Sequence, residues 1–231
     1  MEASEAAPAD APVNVVAIDG PAGAGKSTAA RAVAEHLGIA FLDTGATYRA
    51  ATWWAMHGGV DLSDPEAVAA RTRTMALALE GGRVVVNGHD VTHEIRTPEV
   101  TRNIWRIDEI SAVRRQLVAL QRRFARAAPC VAEGRDLGTV VFPQARCKVF
   151  LDASLEARAQ RRAQDLAAAG HAFDVDQVRT EIAARDARTA TRADSPLRQA
   201  DDAVRIDTTG LTLEQVVDAI AALARERLCL A

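Results

Sequence analysis

The octapeptide Gly20-Pro21-Ala22-Gly23-Ala24-Gly25-Lys26-Ser27 constrains this chain more than any other stretch. It fits G-x-x-x-x-G-K-[ST], a loop whose backbone wraps phosphate oxygens. The apolar run Asn14-Val15-Val16-Ala17-Ile18-Asp19 precedes it and reads as a buried strand. The stretch from Thr28 to Leu37 follows it as a helix former closed by Gly38. Glycines let backbone N–H groups turn inward with no Cβ in the way, and the helix N-terminus adds partial positive charge. Lys26 can reach the outer phosphates and Ser27 can hold Mg²⁺. The expected ligand is a nucleoside triphosphate; the loop alone does not say what receives its phosphate.

Composition sharpens one point and excludes others. The chain has two lysines, Lys26 and Lys148, against 26 arginines. At position 26 it keeps the compact ammonium that the planar guanidinium does not replace. A net charge of −3 over 231 residues argues against non-specific nucleic-acid binding. No apolar run is long enough to span a bilayer. Cys130, Cys147 and Cys229 form no C-x-x-C pair and are odd in number, which points to free thiols in a reducing, cytoplasmic compartment. No metal-ligand cluster stands out, and no role falls to the five histidines. Residues 1–12, rich in Ala, Pro and acids, read as a disordered tail without signal-peptide features. Residues 13–231 read as a single domain, expected to act as a monomer.

Short apolar runs alternate with helical patterns, the pattern of an α/β fold with a parallel sheet. The expected strands are Val13–Ile18, Ile39–Leu42, Cys130–Ala132, Lys148–Leu151 and Ala203–Ile206. In such sheets ligands sit beyond the carboxyl ends of strands. After the second strand comes Asp43-Thr44-Gly45-Ala46-Thr47-Tyr48-Arg49. Asp43 or Thr44 fits a helix cap as well as a substrate contact. Ser63-Asp64-Pro65-Glu66 reads as a capping box opening a helix to about Met75. Leu77 to Val91 then reads as β-ribbon turning at Asn87-Gly88. It breaks the alternation and marks an insert at about 60–100 that would cover a substrate.

An arginine-rich helical region is expected from Ile95 to about Ala127, with a break near Asp108 to Ser111. After the third strand, Glu133-Gly134-Arg135-Asp136-Leu137-Gly138-Thr139 gathers charge around glycine at a strand end. Glu133 is placed to act on Mg²⁺ or its waters. Arg135 and Asp136 fit a site or a structural ion pair. Ser154 caps a helix on which Arg158, Arg161 and Arg162 share one face. Beyond Gly170-His171-Ala172-Phe173 a second helix carries Arg179, Arg185, Arg188 and Arg192. At about 153–195 these helices fit either a lid closing on polyphosphate or a solvated hairpin. Thr212 and Gln215 cap a final helix expected to carry no chemistry.

With these segments in view the chain resembles the bacterial cytidylate kinases. The resemblance is carried by Ile18 to Thr28, Leu42 to Arg49, Glu94-Ile95-Arg96-Thr97-Pro98-Glu99-Val100, Glu133 to Pro143, and Val149 to Ser154 with Arg158-Ala159-Gln160-Arg161-Arg162. It implies a nucleoside monophosphate kinase fold with a five-stranded parallel P-loop core, a helical lid and a small α+β insert that binds the acceptor. The implied reaction is ATP with CMP or dCMP giving ADP with CDP or dCDP, with Mg²⁺. Gly20 through Thr28 would hold ATP, and Ser27 and Glu133 the metal. Asp43, Thr44, Arg49, Arg114, Arg135, Asp136, Thr189 and Arg192 would form the acceptor side, with Arg135 and Asp136 on the cytosine edge and Arg49 and Arg114 on its phosphate. Lys26, Arg158, Arg161, Arg162, Arg185 and Arg188 would form the catalytic set. A kinase of another small acceptor such as UMP, and a nucleotide sensor without turnover, are the competing readings.

Two departures from the family pattern stand out. The lid usually ends R-D-x-x-D-x-x-R; here Arg185 to Arg192 carries Thr189 where that second Asp contacts the sugar. Trp105 stands where the family usually has a small Ser near the base, and the usual Pro before Arg114 is absent.

Overall fold

The structure, a computed structural model, describes residues 12–168, 170 and 172–228; the expected tail lies almost wholly outside the described residues. Unbroken apolar runs bury on both faces, as parallel strands between helices must. The run β1 (Val13–Asp19) is the clearest case, with Val15 to Ile18 all but inaccessible. It occupies the centre of a five-stranded parallel sheet ordered β2 (Ala40–Asp43), β6 (Cys130–Glu133), β1, β7 (Ala145–Asp152), β8 (Val204–Asp207). All five expected strands are present. β7 starts earlier than its apolar core because Ala145 pairs with Val13.

Register decides which side chains meet. Ile18 pairs with Glu133, and Asp43 pairs with the same Glu133 from the other side. Three acidic residues, Asp19, Asp43 and Glu133, therefore finish neighbouring strands at one edge, where ligands of such sheets bind. Helices α1 (Lys26–Leu37) and α9 (Leu213–Leu228) cover one face, packing Val33, Ile220 and Ala224 on Val16, Ile18 and Val149. Thr212 and Gln215 form the expected reciprocal cap ahead of α9, at 3.0 and 3.2 Å. On the other face α6 (Ser111–Ala127) sets Ala125 against Val15, Ala17 and Phe142.

The alternation breaks where expected. After α2 (Thr44–His57) come α3 (Pro65–Arg73) and an antiparallel sheet of β3 (Leu77–Glu80), β4 (Arg83–Val86) and β5 (His89–Asp90). Asn87 and Gly88 both take positive φ, 48° and 84°, as a tight hairpin turn requires. Val84, Val86, Val91 and Ile95 pack on Ala46 and Ala50 of α2. One local reading is corrected. Asp64, not Ser63, caps α3, accepting the N–H groups of Glu66 and Ala67; Ser63 instead bonds back to Asp61. Pro65 then takes the first helical position, where its missing N–H costs nothing.

The expected helix through Ala127 divides more finely than its sequence indicated. A 3-10 turn (Glu94–Arg96) leads to α4 (Pro98–Asn103), α5 (Trp105–Asp108) and then α6. The anticipated break falls at Glu109 and Ile110. Further on, α7 (Leu155–Ala168) and α8 (Val175–Thr191) pair through a small core of Leu155, Ala159, Leu166, Val178 and Ile182.

The α9 seam can be tested directly. Ile220 is wholly buried, so Ile220→Ala should lower the unfolding free energy by about 2–5 kcal/mol, seen as an earlier urea midpoint at unchanged slope.

Candidate active site

Where β1 ends the chain must turn within one residue. Gly20 sits at φ 149°, and a Cβ there would lie 2.0 Å from the Leu151 carbonyl oxygen. No other residue fits so close to a neighbouring strand. Gly25, in left-handed conformation, forms the cap position of α1, and no side chain caps that helix. Its first N–H groups therefore remain for an anion, supported by the helix dipole. Lys26, at the first helical position, is buried and donates from Nζ to the Pro21 carbonyl at 2.7 Å. The ammonium thus lies folded across the loop it serves.

Facing the loop, Ser27 Oγ donates to Glu133 Oε1 at 3.0 Å. A hydroxyl and a carboxylate in contact at a phosphate loop form an oxygen donor set of the kind Mg²⁺ takes. Burial is the main cause pushing the Glu133 carboxyl up and the Lys26 amine down, each away from its charged form. Thr44 Oγ1 donates to the Glu133 carbonyl at 2.7 Å. Asp43 takes the helix-cap role raised by its sequence. It caps α2 through the Ala46 N–H at 2.7 Å, and it also holds Arg49 at 2.8 Å and Arg96 at 3.2 Å. Arg49 is thereby aimed into the cleft shared by Lys26, Thr44, Arg135 and Arg185.

On the far wall, Arg114 and Asp136 form a buried ion pair. This corrects the alternative in which Asp136 would pair with Arg135. Arg114 also donates to the Asp108 carbonyl at 3.2 Å and lies over the Tyr48 ring at 5.5 Å. Arg135 is left with Nη1 buried and without a partner, and burial lowers its pKa. A guanidinium nitrogen without an acceptor inside a polar cleft calls for a ligand atom. Arg192 lies deeper, donating to the carbonyls of Asp194 and Ser195 and standing 3.7 Å from the Asp108 carboxylate.

The lid arginines separate into two kinds. Arg158 is buried and fully engaged by Asp186 and the carbonyls of Ala153 and Ala22. Arg161 donates to Thr208. Both therefore fasten α7 to the phosphate loop and to the end of β8. Arg162 and Arg185, in contrast, line the open cleft beside Gly23. Burial and then the charge of Arg135 push Arg185 down to about 10. Arg188 lies outside that cleft, 5.9 Å from the Trp105 ring centre. Trp105 is 38% exposed and sits between Arg106 and Arg188, outside the cleft lined by Arg114, Arg135 and Asp136. Its neighbours Ile104 and Asp108 line the pocket instead. Thr189 Oγ1 donates back to the Arg185 carbonyl at 2.7 Å.

Two acids absent from the sequence-based site prove central. Asp19 accepts the N–H groups of Leu137 and Gly138 at 2.9 and 2.8 Å. Burial pushes its carboxyl up to about 7 against the pull of those two donors. Its signal was a charged residue ending the apolar run Val15-Val16-Ala17-Ile18. Asp186 accepts the Ala22 N–H at 3.0 Å while pairing with Arg158. Removing it would strand a buried guanidinium, so Asp186→Ala should cost about 2–3 kcal/mol, with Asp186→Asn costing less, measured by chemical denaturation.

This geometry, a phosphate loop facing an arginine–carboxylate wall across one cleft, is accompanied by extensive sequence similarity. The family model for cytidylate kinase matches residues 16–226. The cytidylate kinase of Solibacter usitatus (strain Ellin6076) is 46% identical over 215 residues, covering 92% of this chain and 93% of that protein. That of Desulforamulus reducens (strain ATCC BAA-1160 / DSM 100696 / MI-1) is 48% identical over 208 residues, covering 89% and 94%. The bifunctional pantoate ligase/cytidylate kinase of Synechococcus sp. (strain CC9311) is 48% identical over 219 residues; this chain spans 44% of that longer protein. With the match running through nearly the whole sheet and every segment of the cleft, the chain belongs to the cytidylate kinase family.

Proposed function

We propose that the protein transfers the γ-phosphoryl group of ATP to CMP or dCMP, giving ADP with CDP or dCDP, in pyrimidine nucleotide metabolism. The observation that carries this reading is one cleft lined together by Lys26, Ser27, Arg49, Arg114, Arg135, Asp136 and Arg185. A phosphoryl group moves between two bound phosphates, so catalysis is positioning and charge neutralisation. An oxygen of the CMP phosphate attacks the γ-phosphorus as the bond to the β-phosphate oxygen breaks. Gly20 to Thr28 hold the donor phosphates, and Lys26 leaves Pro21 for them. Arg49 and Arg114 take the acceptor phosphate. Arg135 and Asp136 read the cytosine edge, which offers an amine donor beside acceptors. Arg162 and Arg185 meet the charge that spreads over the transferring group, and the α7–α8 pair closes over it to exclude water.

Ser27 and Glu133 would hold Mg²⁺, which supplies neutralisation of the phosphate charge. Their direct contact supports this, since few protein ligands suffice where substrate phosphates and waters complete the shell. Cys130 and Cys147 are buried free thiols, in keeping with a cytoplasmic protein, and we read it as a monomer. Among the described residues no helix is long and apolar enough to cross a membrane.

An acceptor panel read by ADP release tests the assignment. CMP and dCMP should exceed UMP and AMP, and Lys26→Ala should lower turnover by about a hundredfold or more. Preference for a different acceptor would overturn it. Thr189 tests the sugar contact. A charged acceptor makes a stronger hydrogen bond than a hydroxyl, so Thr189→Asp should lower the CMP KM by about fivefold with kcat little changed.

A further inference from the structure

Arg135 and Asp136 lie on no strand or helix. They follow β6 and precede a single π-helical turn (Leu137–Val141), an irregularity that recurs at functional sites. What holds them is visible on both flanks. On one side the Gly134 N–H donates to the Ile18 carbonyl at 3.0 Å, extending the ladder beyond β6 by one bond. On the other, the N–H groups of Leu137 and Gly138 are taken one each by the two oxygens of Asp19. Ile18 and Asp19 are the last residues before Gly20.

The contacts around Gly138 close the arrangement. A Cβ at Gly138 would stand 3.2 Å from Lys148 Cδ, 3.3 Å from Ala200 Cβ and 3.5 Å from Asp19 Oδ2. Lys148 is itself fixed, donating to the Pro143 carbonyl at 2.6 Å and to Asp202 at 2.8 and 2.9 Å. A side chain at 138 would therefore crowd Lys148 and Ala200 beside the Asp19 carboxylate, and only glycine leaves that space free.

We infer that Asp19 is a positioning residue: it fastens the acceptor-reading pair Arg135–Asp136 to the base of the phosphate loop, so that donor and acceptor are held in one frame. The inference rests on the proposed role of Arg135 and Asp136 at the acceptor. Asp19 lines neither the cleft at the phosphate loop nor the one that holds Arg135 and Asp136. It acts through two backbone N–H groups, and Asp136 passes the alignment to Arg114 through their ion pair. Removing the charge loosens the acceptor side, while the phosphate loop keeps its own support from Asp186, which takes the Ala22 N–H.

The test uses the full chain and Asp19→Asn, whose amide offers one acceptor where two are needed. The CMP KM should rise by about tenfold, with the Kd for Mg·ATP, measured by calorimetry without CMP, within twofold of the parent. Amide hydrogen exchange at Leu137 and Gly138 should quicken by about tenfold. A folded variant with unchanged exchange at both amides overturns the inference, as does a rise in the Mg·ATP Kd equal to the rise in CMP KM. If Asp19→Asn does not fold, Gly138→Ala pushes the same turn off Asp19 and is judged by the same readouts. The parent is assayed alongside. If it transfers phosphate to another acceptor and not to CMP, the functional reading fails, and the exchange rates with that acceptor's KM still decide for or against Asp19.

Discussion

Guanidinium groups repel one another, and this cleft gathers many of them. Each unpaired pair at close range would cost several kcal/mol at the dielectric of a protein surface. The fold answers with a carboxylate for five of them. Asp43 takes Arg49 and Arg96, Asp136 takes Arg114, and Asp186 takes Arg158. Asp108 stands beside Arg192. Such pairs do not add much stability in themselves, since desolvation offsets most of the attraction. What they do is hold planar donors in one orientation before a polyphosphate arrives. Arg135 and Arg185 are the groups left in the greatest need: burial lowers the pKa of both, and for Arg185 the charge of Arg135 adds to it.

The sheet makes this pairing possible. Parallel strands in register deliver Asp19, Asp43 and Glu133 to one edge, and the helices that follow begin there. The partners come from far along the chain: Asp186 reaches back to Ala22 and Arg158, and Asp136 to Arg114. A local change at the strand edge is therefore felt across the whole cleft. The small core under α7 and α8 is separate from the main one, and Arg158 and Arg161 tie it back to the phosphate loop and to the end of β8.

The sequence made the strands and the phosphate loop legible because their signals are local. An apolar run of fixed length, a glycine where no Cβ fits, and a turn dipeptide such as Asn87-Gly88 each act within a few residues. Helix starts were read less well. Ser63 and Asp64 are both good caps, and Pro65 in the first helical position leaves the cap to Asp64. The Trp105 departure was visible in sequence but not its direction, because a side chain on a short helix can face the pocket or the rim. Least legible were the pairings. Asp136 beside Arg135 suggests a local ion pair, yet the partner lies 22 residues earlier at Arg114. Asp19 engages a turn 118 residues away, a distance over which no local pattern carries information.

The lysine count acquires a wider meaning from burial. Lys26 and Lys148, the only lysines of the chain, are 7% and 6% exposed. The outer surface accordingly carries its side-chain cations as guanidinium alone. Such a surface does not titrate through the alkaline range where ammonium-rich proteins lose their positive charge. It also presents no lysine amine to acylating reagents. A reagent of that kind would find its first lysine at the phosphate loop or at the brace beneath Gly138, so that labelling at these two lysines would report access to the buried interior.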